Sequence, residues 1–324
     1  MSCLSDSDSF LFIGQTKQQE EEMTRYFEMR KILSRTKEKE LTAIVVERDG
    51  TNFVNRMENP EEICIEELSR QRDSFAPYTL SYFKCLETTQ KFLLEHEGPV
   101  TNNVCVSELQ TRGRCRNKDV WDSPFGGLTF SIKLATTKNL VEFAPHICAL
   151  SVALALDETI PHPGFEISIH WPYDVYANEY KICGILSETS QGMDDTYVVV
   201  GIGINMNNTN KPNLKTLLQW NKMIPRTPVL VACLRYIRSF VDMFDSGDYT
   251  FLLSKYYEKW AHYQSVIDCI DINNGVRKLR IVGLTENANV LCETETGRPF
   301  ELFPDSNCEF SLSNMIAHPL FPVC

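Results

Sequence analysis

Residues 110–124 read Gln-Thr-Arg-Gly-Arg-Cys-Arg-Asn-Lys-Asp-Val-Trp-Asp-Ser-Pro, and the seven from Arg112 to Lys118 hold three arginines, a lysine and a glycine. Such a run has no apolar face with which to join a core. Guanidinium forks, backbone amides and a flexible glycine suit an anion, either a carboxylate or a phosphate. Taken by itself, the run reads first as a solvated basic loop, since charge runs usually face water. Three further stretches change that balance: Glu87-Thr88-Thr89-Gln90; His170-Trp171-Pro172-Tyr173-Asp174 followed by Lys181-Ile182-Cys183-Gly184-Ile185-Leu186; and Gly201-Ile202-Gly203-Ile204-Asn205-Met206. Lys181 opens an apolar run, where a charge either serves a ligand or snorkels from a strand end.

The chain that must position these groups has 324 residues and a formal net charge of −11. That length holds one large domain or two. The acidic balance disfavours a general nucleic-acid binder, so any positive site is local. No run of about 18 apolar residues is present, and no membrane span is expected. The N-terminus lacks a signal or transit pattern, which favours the cytoplasm, with a mitochondrial form as one start site among several. Twelve cysteines are scattered with no Cys-x-x-Cys pair. Several lie in apolar runs (Cys148, Cys183, Cys233), which reads as buried thiols in a reducing compartment.

Residues 1–75 are charged, with 16 acidic and 11 basic side chains. They are expected to form a partly ordered extension with a helix over 18–34 and a strand over 42–47. The pattern then becomes alternating. Strands are expected over 80–85, 104–107, 128–134, 166–169, 181–188 and 196–202, and helices over 89–96, 144–158, 228–245 and 250–260. Short strands over 266–272, 278–284, 289–293 and 299–303 are separated by Asn-Asn-Gly, Glu-Asn-Ala-Asn and Thr-Gly turns. The expected class is α+β, a mixed sheet with helices over 76–262, followed by a small β-barrel over 263–324.

In this order and spacing the motifs resemble the biotin protein ligase family, called holocarboxylase synthetase in animals. The resemblance runs from roughly Tyr78 to Ala317. It rests on the Thr-Thr pair, the arginine loop closed by Trp121-Asp122-Ser123-Pro124, the Trp-Pro-x-Asp stretch, the Lys-x-x-Gly-Ile-Leu strand and the Gly-x-Gly-x-Asn strand. It implies a class II synthetase-like catalytic domain with an SH3-like barrel behind it. It also implies an enzyme that joins biotin to ATP as biotinyl-5′-adenylate, then passes biotin to a lysine of a biotin carrier domain of a carboxylase.

By the same resemblance Arg116 bridges the biotin carboxylate and the α-phosphate, with Arg114 and Cys115 beside it in the loop. Lys181 contacts both anions. Thr88, Thr89, Gln90 and Gln110 line the biotin pocket, although helix capping alone would also account for the threonines. Trp121 covers the adenine or is simple core. His170, Tyr173 and Asn205 complete the ATP side, and Asp174 holds Mg²⁺ or orients ATP. Gly201 and Gly203 serve the nucleotide or merely allow close approach.

The chain departs from the family where it has His170 for lysine, Tyr173 for asparagine, Cys115 for glycine, and Asn117, Lys118 and Asp119 in the loop. A partly charged, shorter His170 would hold a phosphate less well, and Tyr173 lacks an amide's paired donor and acceptor. Two readings follow: a divergent working ligase, or a relic that binds biotin or a carrier domain without efficient adenylation. A lipoate ligase would share the adenylation logic but not the Trp-x-Ser-Pro loop with this C-terminal barrel. The acidic N-terminal segment, with no helix-turn-helix, disfavours a repressor.

Overall fold

A computed structural model describes residues 11–13, 43–45, 62–95, 102–116, 120–135, 140–160, 164–191, 196–208, 216–220, 223–271, 275–302 and 316–317. The expected helix over 18–34 and Asn117, Lys118 and Asp119 lie outside these residues, and of the strand expected over 42–47 the described part, Ala43–Val45, is a strand paired parallel with Leu11–Ile13. The chain divides into two compact units, Met1–Ala135 with Leu186–Val231, and Thr136–Ile185 with Ala232–Cys324.

In the first unit the strands Thr79–Phe83, Asn103–Ser107, Leu128–Ala135 and Thr196–Ile204 lie side by side in that order. The first pair is parallel and the next two antiparallel, with Val104 opposite both Leu80 and Ile132, and Ile132 opposite Val200. Seven of the eight residues of Leu128–Ala135 are buried, so both faces of this strand are covered. One cover is the helix Thr89–Glu95, whose Phe92 and Leu93 pack with Phe83, Leu86, Cys105 and Val199. The Phe83 and Phe92 rings meet edge to face at 4.9 Å, a preferred aromatic geometry. A short helix, Ile65–Arg70, lies in the stretch expected as a charged extension; its Leu68 is buried, as are Ile63 and Phe75 beside it.

The second unit is built on the helix Leu140–Thr159, which packs on the hairpin Ile167–His170 and Asp174–Ala177 and on the helix Tyr249–Lys259. By length and composition alone this helix is apolar enough to cross a membrane, but most of it is buried within the protein, as a core helix is. Asp174–Ala177 continues through a turn at Asn178 into the strand Tyr180–Gln191, with a bulge where Val175 faces Cys183 and Tyr176 faces Lys181. A second sheet has the order Pro299–Leu302, Val290–Thr294, Gly275–Leu284, Val266–Asp271 and Ile316–Ala317, the last pair parallel. No disulfide joins cysteines among the described residues.

Candidate functional site

In the first unit the basic loop is a short ladder. Its foot is Gln110, bridged to Leu86 on one side and Ser123 on the other, and its outer rung pairs Arg114 with Val120. The amides of Thr111 and Arg112 donate to the carbonyls of Leu86 and Glu87 at 2.9 Å, and Trp121 N donates to Gly113 O at 2.9 Å. Gln110 is set from its side chain as well. Its Oε1 accepts the Thr89 amide at 2.8 Å and the Thr89 hydroxyl at 3.1 Å, while Nε2 donates to Ser123 Oγ at 2.8 Å. A backbone N–H can only donate, so this pairing fixes which end of the amide is oxygen.

The Thr-Thr-Gln segment does two jobs. Thr88 Oγ1 accepts from Gln90 N at 3.2 Å, an N-terminal cap for the helix Thr89–Glu95. Thr89 Oγ1 lies 2.8 Å from Ser131 Oγ. Ser131 Oγ donates to Gln90 Oε1 at 3.1 Å, and Gln90 Nε2 reaches Val199 O at 2.9 Å. A β-carbon on Gly201 would lie 2.7 Å from Gln90 Oε1, and one on Gly203 would run into the Trp121 indole. The close approach at these glycines is thus by two side chains of the expected site, not by a neighbouring strand.

The cations of the loop have acidic neighbours. Arg114 Nη2 lies 2.7 Å from Glu188 Oε2, and Arg112 Nη1 lies 3.6 Å from Glu87 Oε1. A hydrogen bond from Lys91, with Lys91 and Arg112 as nearby charges, holds the Glu87 carboxyl below the usual carboxylate range. Arg116 is exposed at the turn of the loop and Cys115 is half-buried. Asn205 is buried and accepts Asn208 Nδ2 at 3.1 Å. Its neighbour Asn207, not expected from the sequence, pairs both amide atoms with Ile224 and gives its own N–H to Gly126 O. Gly126 has φ +91°, and a β-carbon there would lie 2.8 Å from the Asn207 backbone. The only advance signal was the Asn-Asn run after a strand, which reads as a turn.

In the second unit Lys181 Nζ lies 2.7 Å from Asp174 Oδ2. The strand register produces this pair: Lys181 faces Tyr176, and Asp174, two residues before Tyr176, shares its face. Among the described residues no cluster of three or more His, Cys, Asp or Glu could hold a metal. A Mg²⁺ arriving on phosphate oxygens needs only one or two carboxylates, and Asp174 suits that role.

His170 differs from its expected character. Its ring stacks on Tyr176 at 3.8 Å and 9°, meets His262 at 5.3 Å, and shares a 3.1 Å hydrogen bond with Ser168 Oγ. Burial pushes it down to about 4 despite the pull of Asp174. It is therefore neutral at pH 7 where a partly charged ring was expected, and it packs as an aromatic surface. Tyr173 meets His146 edge-on at 5.4 Å and 87°. His146 Nδ1 is 2.8 Å from Tyr256 Oη, which lies 3.4 Å from Pro172 O. A carbonyl only accepts, so both contacts are satisfied together when His146 donates to Tyr256 and Tyr256 to Pro172.

Comparison with known proteins gives the same direction. The model of the biotin/lipoate A/B protein ligase family matches residues 82–205. The chain is 30% identical over 223 residues to Biotin–protein ligase 2 of Arabidopsis thaliana, covering 65% of this chain and 68% of that protein. It is 29% identical to the chloroplastic Biotin–protein ligase 1 of the same plant, of whose length it spans 60%. Among solved structures, the biotin protein ligase from Aquifex aeolicus in complex with biotin and ATP superposes with a TM-score of 0.57 at 31% identity. That match covers 69% of this chain and 94% of the other.

Proposed function

The chain belongs to the biotin protein ligases of the biotin/lipoate A/B protein ligase family, and on that premise we propose that it is an ATP-dependent biotin–protein ligase. The biotin carboxylate attacks the α-phosphorus of ATP, the bond to pyrophosphate breaks, and biotinyl-5′-adenylate forms. The amine of a carrier-domain lysine then attacks the acyl carbon, loses a proton, and AMP leaves. No covalent enzyme intermediate is needed. What the protein must supply is placement of two anions and stabilisation of the charge between them.

The observation that carries this reading is the Thr89–Gln110–Ser123 ladder. It fixes polar groups at the foot of a loop in which Arg114 and Arg116 are exposed. Arg116 is assigned the carboxylate and α-phosphate, with Lys181 contributing charge to the same anions. Thr88, Thr89, Gln90, Gln110, Arg114 and Cys115 are assigned to biotin. Trp121, His170, Tyr173, Asp174 and Asn205 are assigned to ATP. His170 would do so as a neutral aromatic neighbour. Mg²⁺, brought by ATP, would be held at Asp174 and would neutralise phosphate charge. The acceptor class is the biotin carrier domain of carboxylases, and the C-terminal strands are read as an SH3-like barrel.

The test is biotin-dependent exchange of labelled pyrophosphate into ATP, with lipoate as control. Exchange with biotin and not lipoate is expected, falling by roughly 100-fold or more in Arg116→Ala. Folded protein that binds biotin without exchange would leave a binding module in place of the enzyme.

A further inference from the structure

The basic loop leaves the sheet at Glu108 and returns at Gly127, and one buried side chain touches both. The paired ladder between Asn103–Ser107 and Leu128–Ala135 ends at Ser107 opposite Thr129. Just beyond it, Arg226 Nη1 donates to Gly127 O at 2.7 Å, and Arg226 Nη2 lies 2.6 Å from Glu108 Oε2. The two side chains are 1% and 0% exposed. The other carboxylate oxygen, Glu108 Oε1, accepts Ile63 N at 2.9 Å and the Tyr82 hydroxyl at 2.7 Å. Burial, reinforced by Glu108, pushes the Tyr82 phenol far up, so it stays a donor.

A buried ion pair is poor value as a stabiliser. Desolvation offsets most of its attraction, and well-packed apolar replacements are often neutral or better. What this pair does supply is direction. A guanidinium has two arms in a fixed fork, and a lysine could not hold both feet of the loop at once. The next residue but one after Glu108 is Gln110, the foot of the arginine ladder. On the other foot Asn207 N holds Gly126 O at 2.8 Å.

We propose that Arg226, with Glu108, is a positioning residue that locks both feet of the basic loop and so sets the pose of Arg114 and Arg116. It touches no substrate and acts through the loop. The kinetic part of this inference rests on the ligase reading; the structural part does not.

The experiment uses the full chain in three forms: wild type, Arg226→Lys, and the pair Glu108→Gln with Arg226→Met. The double variant removes both charges together and keeps an acceptor for Ile63 and Tyr82, which protects the fold. Hydrogen–deuterium exchange of residues 110–124 should quicken by roughly 10-fold or more in the double variant, with the strand Leu128–Ala135 protected as before. Arg226→Lys should fall between. In pyrophosphate exchange the biotin KM should rise about 10-fold, with kcat changed less. Unaltered loop exchange in a folded double variant overturns the proposal. So does loss of protection throughout the sheet in both variants, which would make the pair a plain structural element. If wild type shows no pyrophosphate exchange, the ligase reading fails, while the deuterium measurement still decides the clamp.

Discussion

The ammonium of Lys181 and the carboxylate of Asp174 face one another at 2.7 Å, so a phosphate or cation that engages one of them competes with the other. Lys181 has 38% of its side-chain surface exposed against 11% for Asp174. The lysine is therefore the partner that can swing to a ligand.

Lys181→Met should lower biotin-dependent pyrophosphate exchange by roughly 100-fold or more, the scale of one lost charge-stabilising group. Asp174, with 11% of its side-chain surface exposed, loses this cation in the variant, so the thermal midpoint should also fall, by the equivalent of about 1–3 kcal/mol. Exchange within a few-fold of wild type would remove Lys181 from the reaction.

Glu188→Gln withdraws the carboxylate that faces Arg114. The pair is exposed, so its release changes the availability of the guanidinium by about 1 kcal/mol at most. An ATP or biotin KM lower by up to about fivefold is the expected result. A raised KM would mean that Glu188 orients Arg114 rather than competing for it.

Gly201→Ala places a methyl against Gln90 Oε1 and should break the link from Gln90 to Ser131 and Val199. Overpacking of this kind costs about 1–3 kcal/mol. Combining it with Gln90→Ala should recover part of that stability, a non-additivity expected for residues in contact. Denaturant midpoints of the two single variants and the double variant measure the coupling; additive losses would place the strain elsewhere.

Acid should destabilise the chain through its buried histidines. Burial pushes His262 down to about 4 and His146 to about 3. The unfolded chain then binds more protons than the folded one between about pH 6.5 and these lowered values. Stability is full above about 6.5 and falls as pH drops through that window. Urea midpoints at pH 7.5, 6, 5 and 4 should decline steadily, and a flat profile would mean that these rings are reached by water.

Tyr256→Phe removes the hydroxyl between His146 Nδ1 and Pro172 O. Two buried polar groups lose a partner, at about 1–3 kcal/mol each. Because Pro172 precedes Tyr173 and Asp174, the Mg²⁺ concentration giving half-maximal exchange should rise as well. Lost stability with an unaltered Mg²⁺ profile would confine the hydroxyl to packing.

Much of this architecture can be read locally. Alternation marked the strands around Val104, Leu128 and Val199, and the apolar stripe marked the helix through Ile147 and Leu150. That helix begins at Leu140 rather than Ala144 because burial of Leu140 and Phe143 outweighs the missing N–H of Pro145. The strand Asp174–Ala177 escaped notice because it is short and opens on an acidic residue that only its register with Lys181 explains. Gln110 and the threonines stood out in the sequence singly, but not as one hydrogen-bonded ladder. Glu108 and Arg226 were illegible altogether, since no pattern in a single sequence couples charges 118 positions apart (226 − 108). His170 misled in the opposite sense: the residue type suggests a titrating group, and only its stacking on Tyr176 shows that it is neutral.

The seating of Trp121 against the bare backbone of Gly203 gives the chain a built-in optical reporter. Of its four tryptophans, Trp171 and Trp260 lie in an aromatic cluster of the second unit, and Trp220 follows a short 3-10 turn. Trp121 alone belongs to the arginine loop, with its indole packed where any side chain at position 203 would collide. Its emission should shift whenever the loop changes seat. Replacing the other three with phenylalanine would leave a chain whose colour follows the loop in real time, without label or substrate turnover.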